Sequence, residues 1–263
     1  MKNLILLGLL VLLASCGQEK KSDAATASEA DIAVAVPDTA FFEIRTYYCH
    51  PDKLDDLLAR FRNHTMALFE KHGMANLGYW VPQDNAENKL VYLMGYPDRA
   101  SRDASWKAFG DDPEWKQVWE ASRSDGPIVD SVVNRFYTYT DYSPEIKPED
   151  LGPRIFSLRT YYTHPGRLSA LHQRFADHTL ELFTRNGMTN IAYLNLEAAD
   201  PDADHVLTYL ITFPDTAART ASWNAFRADP DWLAAREASE ADGPIVESIT
   251  DELLLPVDFS PLK

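Results

Sequence analysis

At 263 residues, with 45% hydrophobic and 25% charged positions, the chain is long enough for two ordinary domains and has the composition of a globular protein. Its formal net charge of −15, with no long basic run, excludes nucleic acid as a partner, because phosphate recognition needs clustered Lys and Arg. The same acidity excludes electrostatic adhesion to anionic lipid, so any membrane attachment needs another source.

The first residues supply one. Lys2 precedes an apolar run from Leu4 to Leu13, and Leu13-Ala14-Ser15-Cys16 follows. The run is shorter than the about 20 residues that span a bilayer and reads as a signal peptide. Leu-Ala-Ser-Cys resembles the lipobox of bacterial lipoproteins, in which the cysteine is acylated and becomes the new N-terminus. The plainer alternative is secretion with Cys16 unmodified. The first reading makes residues 1–16 a signal peptide ending in the lipidation site Cys16, with the lipid bilayer as partner and the cell envelope as location. Gly17, in place of Asp, implies by the same resemblance the outer membrane, on its periplasmic or surface face. Residues 17–40 are rich in Lys, Ser, Ala, Glu and Asp without an apolar period and are expected to be a flexible tether. Cys49 is the remaining cysteine, so no intramolecular disulfide can form, and its counterpart in the repeat described next is Thr163.

The rest of the chain is a duplication. Residues 41–80 and 155–194 share 19 identities in 40 positions at an offset of 114, and residues 92–131 and 209–248 share 23 in 40 at an offset of 117. The change of offset reflects three extra residues around Glu197 to Asp204. Domains are therefore expected over 41–142 and 154–263, joined by a proline-containing linker over 143–153.

Within the first copy, Phe42 to Tyr48 alternates and reads as a strand. Pro51 opens a helix with Leu54, Leu57, Leu58, Phe61, Leu68 and Phe69 on one face, and Gly73 closes it. Met74 to Val81 and Leu90 to Tyr96 read as a hairpin. A helical stretch from Arg99 carries Trp106 and Phe109 inward, and Asp112-Pro113 suits an N-cap followed by proline at N1. Ile128 to Tyr139 supplies the last strand. The order β-α-β-β-α-β predicts an α+β fold of two tandem ferredoxin-like domains, each an antiparallel sheet with helices on one face.

An opening E-x-R-x-Y strand, a helix carrying F-x-x-H-T, then G-M and a Trp-containing second helix resemble the NIPSNAP family. The second copy departs at Ser157, where the first has Glu43. The resemblance implies the dimeric α+β barrel superfamily, in which two ferredoxin-like units join their sheets into a barrel. Two units in one chain could form that barrel intramolecularly; a homodimer is the rival arrangement.

Familiar catalytic strings (G-x-S-x-G, C-x-x-C, H-E-x-x-H, a Gly-rich phosphate loop) are absent. His64 and His178 fall at equivalent places on the apolar stripe of the first helix, which makes them candidate general bases or, equally, core histidines bonded to a carbonyl or tyrosine. Arg45 with Tyr47, and Arg159 with Tyr161, share the strand face opposite Ile44 and Leu158. They are candidates for clamping an anion, or for pairing with an acid such as Glu43. Tyr79, Tyr193, Trp106 and Trp223 are candidate pocket walls or core aromatics. No metal site is predicted: His64 and His72 stand about 12 Å apart along one helix. No cofactor is predicted, although the superfamily resemblance leaves haem ligation by a single histidine open. Two functions from different classes follow. The first is a module binding a small hydrophobic or anionic ligand or a protein partner. The second, by fold analogy, is a cofactor-free monooxygenase or isomerase with a buried His base and an Arg clamp.

Overall fold

The computed structural model describes residues 39–263; the signal peptide, Cys16 and all but the last two residues of the expected tether lie outside the described residues. Both copies place their elements in the same order. The first copy runs β1 (Phe41–Cys49), α1 (Leu54–Arg60), a π-helical turn (Phe61–Thr65), α2 (Met66–Lys71), β2 (Ala75–Pro82), β3 (Lys89–Tyr96), α3 (Arg99–Asp111), α4 (Pro113–Ala121) and β4 (Val129–Tyr139). The second runs β5 (Ile155–Thr163), α5 (Leu168–Arg174), a π-helical turn (Phe175–Thr179), α6 (Leu180–Arg185), β6 (Thr189–Leu196), β7 (Val206–Phe213), α7 (Thr216–Ala228), α8 (Pro230–Ser239) and β8 (Val246–Pro256). Asp112 caps α4 by accepting from Glu114 N at 2.8 Å, with Pro113 in its first turn.

These elements do not form the two tandem ferredoxin-like domains, each with its own sheet, that the sequence predicts. The eight strands close into one antiparallel barrel in the order β1-β3-β2-β8-β5-β7-β6-β4. The reason is edge pairing. A four-stranded sheet built from one copy would leave β2 and β4 as open edges. Instead β2 pairs with β8 through Trp80–Pro82 against Leu254–Pro256, and β4 pairs with β6 through Tyr137–Tyr139 against Leu194–Leu196. Closure joins those edges through three residue pairs at each seam, and it happens between the two copies of one chain.

The period-2 pattern of the strands then sorts residues into two layers. Phe42, Trp80, Val91, Tyr137, Phe156, Ala192, Leu210 and Leu254, one from each strand, fill the barrel interior. The outer faces carry Tyr79 and Tyr92 in the first copy and Tyr193 and Tyr209 in the second, packed under the helices. The interior is nearly full: the space beside Ile44, Trp80 and Leu158 amounts to about 10 Å³. The cavities lie outside the barrel, between sheet and helices.

Each copy also lends its C-terminal segment to the other. Ser143 Oγ accepts from Tyr193 N at 2.9 Å, and its counterpart Ser260 Oγ accepts from Tyr79 N at 2.8 Å. Ile146, in the stretch expected to be a linker, is buried with the barrel interior. The extra residues of the second copy reach back as well: Arg135 of β4 donates to Asp200 at 2.9 Å, and Arg99 of α3 to Glu197 at 2.6 Å.

Candidate ligand-binding site

The first helix of each copy departs from the spacing that its apolar stripe suggests. An α-helix repeats every 3.6 residues, but the π-helical turn takes up one extra, which rotates the residues after it. Phe61 and Thr65 point inward and are buried, whereas His64 is exposed; Phe175, Thr179 and His178 repeat the arrangement. The Thr65 hydroxyl donates to the Arg60 carbonyl at 3.2 Å, and the Thr179 hydroxyl to that of Arg174 at 3.0 Å. The reading of His64 and His178 as stripe histidines is therefore corrected: threonine, not histidine, is the inward residue of F-x-x-H-T. The residue just before each turn, Arg60 or Arg174, is buried, with its guanidinium over the ring of Trp115 at 5.4 Å or Trp232 at 5.3 Å.

In the first copy the clamp arginine is occupied by the chain itself. Glu43, on the outer face of β1, is fully buried. Its Oε1 accepts from Arg45 Nη1 (2.5 Å), Arg102 Nη2 (2.8 Å) and Asn134 Nδ2 (2.8 Å). Its Oε2 accepts from Arg102 Nε (2.9 Å), Trp106 Nε1 (3.1 Å) and the Tyr96 hydroxyl (3.3 Å). Arg45 also donates through Nε to the Tyr92 hydroxyl at 2.9 Å and lies 4.2 Å from the centre of the Trp106 ring. Burial by itself would push the Glu43 carboxyl up, but the hydrogen bonds and charges of Arg102 and Arg45 outweigh it and hold the group below the usual carboxylate range.

Three substitutions change this arrangement in the second copy: Ser157 stands for Glu43, Phe213 for Tyr96 and Asp251 for Asn134. The carboxylate now comes from β8 instead of β5. Asp251 accepts from Ser157 Oγ and Arg159 Nη1, and from Arg219 Nη2 at 2.5 Å. Arg159 keeps its bond through Nε to a tyrosine, Tyr209, at 2.8 Å, and its guanidinium lies 4.5 Å from the centre of the Trp223 ring. Asp251 thus serves the donors that correspond to those on Glu43 Oε1. The donors that correspond to those on Oε2, Arg219 Nε and Trp223 Nε1, are buried and have no hydrogen-bond partner among the described residues.

The exchange accompanies a change in space. The second copy holds a cavity of about 790 Å³ between β5, β8 and the helices α7 and α8. In the first copy the depression between sheet and helices is about 180 Å³, and its lining includes Tyr47, Arg60 and Trp119 but none of Arg45, Arg102 and Trp106. The large cavity combines apolar walls (Trp223, Phe226, Trp232, Ile249) with five arginines, 159, 174, 219, 227 and 236, against three acids. Arg227 and Arg236 stand where the first copy has Gly110 and Trp119. A positive, aromatic-walled cleft in a chain of net charge −15 suits an anion carried on an apolar body.

Of the residues singled out from sequence, the structure brings Arg159, Tyr161 and Trp223 together in the large cavity. Tyr47 lines the small one, while Arg45 and Trp106 surround Glu43. Tyr79 and Tyr193 are core residues: each is fully buried, stacked on Tyr92 or Tyr209 at 5.3 Å, and bonded through its hydroxyl to Asn76 or Asn190. His64 and His178 each flank a different surface depression. Cys49 is buried, which pushes its thiol up to about 11 against the opposing charge of Arg60. Sequence reasoning missed Arg102 and Arg219, Arg174 and Asp251. An Arg four residues before the Trp of the second helix, present in both copies, was the available signal for the first pair.

Among the described residues no group of three or more His, Cys, Asp or Glu side chains is placed to hold a metal ion, and no helix is long and apolar enough to cross a membrane. The large cavity offers no histidine, cysteine or methionine. A haem iron there would have only Tyr161 as an axial ligand, so the imidazole ligation left open by the sequence does not fit this site.

A closed antiparallel barrel covered by paired helices defines the structural class. An anthrone oxidase-like protein shares it, with a TM-score of 0.53 at 13% identity over 87% of this chain and 96% of that one. The NIPSNAP family profile matches residues 42–144 and 156–261, one match per copy, and the chain belongs to the NIPSNAP family. Among curated relatives it is 26% identical to NipSnap homolog 3B of Mus musculus over 227 residues, 85% of this chain and 86% of that one. It is 25% identical to NipSnap homolog 3A of Homo sapiens over 228 residues, 86% of this chain and 87% of that one.

Proposed function

We propose that this NIPSNAP-family chain is a small-ligand-binding protein, held at the cell envelope through an acylated Cys16, whose second copy takes up a ring-sized apolar molecule bearing an oxygen acceptor. The observation that carries the reading is the contrast between copies. The second has a cavity of about 790 Å³ lined by buried donors without a partner among the described residues. The first has a depression of about 180 Å³ that does not reach the clamp, whose donors are taken by Glu43. The cofactor-free oxygenase or isomerase alternative called for a base on the buried face of the first helix. His64 and His178 are exposed and outside the cavity lining, so binding is the better supported reading.

Titration of the purified full chain with 8-anilinonaphthalene-1-sulfonate, followed by its fluorescence and by native mass spectrometry, tests the site. The expected result is one saturable site per chain, lost on Thr220→Trp, which puts a bulky ring at the cavity lining while leaving every lining arginine unsubstituted. Non-saturable binding, or binding indifferent to that substitution, would overturn the reading. The anchor is checked separately. Cells fed radiolabelled palmitate should label the wild-type chain, and Cys16→Ala should abolish the label and release the protein from the membrane fraction.

A further inference from the structure

Matching the two copies residue by residue along the sequence, and comparing their hydrogen bonds, shows that one acceptor is missing from the second. In the first copy, Arg102 Nε and Trp106 Nε1 both donate to a single atom, Glu43 Oε2. In the second, their counterparts Arg219 Nε and Trp223 Nε1 are the donors left unpartnered, and Trp223 is more than nine-tenths buried at the cavity wall. Every donor corresponding to those on Oε1 is either held by Asp251 or, at the Asn134 position, replaced by Asp251 itself. The orphaned pair is therefore not scattered. It marks one acceptor position, on the cavity side of the clamp. Buried N–H groups in native proteins nearly always have a partner, so this pair, which lies on the cavity lining, points to an acceptor brought from outside the described residues.

Charge narrows the class. The donors are a guanidinium and an indole, the set that in the first copy holds a carboxylate oxygen, and the lining carries two arginines more than acids. A guanidinium-bound oxygen is held more strongly when ionised than when neutral. The aromatic walls accommodate the rest of the molecule.

We infer that the second copy is a receptor for a monocarboxylate on an apolar ring system, with one carboxylate oxygen taking the place that Glu43 Oε2 holds in the first copy. Ser157 is the residue that removes the resident carboxylate, and the first copy is the same clamp satisfied by its own glutamate. The inference rests on the cavity-binding reading above and names the ligand class for it.

The test compares 2-naphthoate with its neutral isostere 2-naphthamide, each titrated into the full chain and followed by calorimetry and tryptophan emission. Naphthoate is expected to bind more tightly by on the order of tenfold or more, the usual margin for a charge-assisted bond. Trp223→Phe, which keeps the ring and removes the N–H, should erase most of that margin with no loss of fold by circular dichroism. The double variant Ser157→Glu/Asp251→Asn, which restores the glutamate and asparagine of the first-copy cluster, should abolish naphthoate binding. If that variant fails to fold, Trp223→Phe alone decides. Equal affinities for the two compounds, or a naphthoate preference that survives Trp223→Phe, would overturn the carboxylate assignment while leaving the cavity reading intact. Binding of neither compound, together with no saturable anilinonaphthalene site, would overturn both.

Discussion

Glu43→Gln is expected to destabilise the protein by about 3–5 kcal/mol, the cost of removing one partner from a buried ion-paired cluster. Glu43 is fully buried and accepts from Arg45, Arg102, Trp106, Asn134 and Tyr96. The amide keeps the volume but withdraws the charge that balances two guanidinium groups. Its NH2 group also meets donors where the carboxylate oxygen met them. Because folding holds the Glu43 carboxyl below its ordinary value near 4.5, its contribution is fully present above that value. It is lost progressively as the pH falls through the depressed native value. Urea denaturation from pH 7 down to pH 3 should therefore show a wild-type advantage over Glu43→Gln that is constant near neutrality and shrinks in acid. A gap independent of pH would mean that shape, not charge, carries the effect. Ser157→Ala, at the equivalent place, should be far milder, since Asp251 there retains both arginines.

Gly78→Ala should cost about 1–3 kcal/mol by overpacking, and Trp80→Leu should recover most of it. Gly78 and Trp80 lie two residues apart on β2, so both side chains face the barrel interior. A Cβ at Gly78 would fall 2.0 Å from the Trp80 ring, which is 2% exposed and packs on Phe156 at 5.4 Å. The second copy solves the same space with Ala192 and Leu194. The two substitutions together recreate that solution and also remove the Trp80 indole N–H, which is buried without a partner among the described residues. Thermal unfolding of the two single variants and the double completes a cycle in which strong coupling is expected. Additive losses would show that the ring moves aside freely.

The two variants probe parts of the chain that differed in how readable they were. Alternation along Phe41–Cys49 placed Arg45 and Tyr47 on one face and Ile44 on the other, and the Glu43-to-Ser157 difference was visible as soon as the copies were aligned. Its meaning was not. The compensating change, Asn134 to Asp251, lies 94 residues along the chain from Ser157, and nothing local connects the two. Arg102 and Arg219 were overlooked for the same reason, since each meets the cluster only because α3 or α7 packs across the sheet. The histidines were misplaced by a local event that periodicity does not encode: a five-residue π-helical turn exchanges the inward position between His and Thr.

What the sequence determined by itself was whatever depends on short-range pattern and on comparison of the chain with itself. The duplication, the strand and helix order of each copy, the Asp112-Pro113 helix start and the family follow from spacing and residue identity within a few dozen positions. The tertiary structure decided what depends on meetings between distant segments. Two open sheets became one barrel because β2 and β4 found edges only in the other copy. One copy took up all its clamp donors with a carboxylate on β1. In the other the carboxylate came from Asp251 on β8 and left Arg219 Nε and Trp223 Nε1 without a partner among the described residues, a difference that depends on which distant strand supplies the charge.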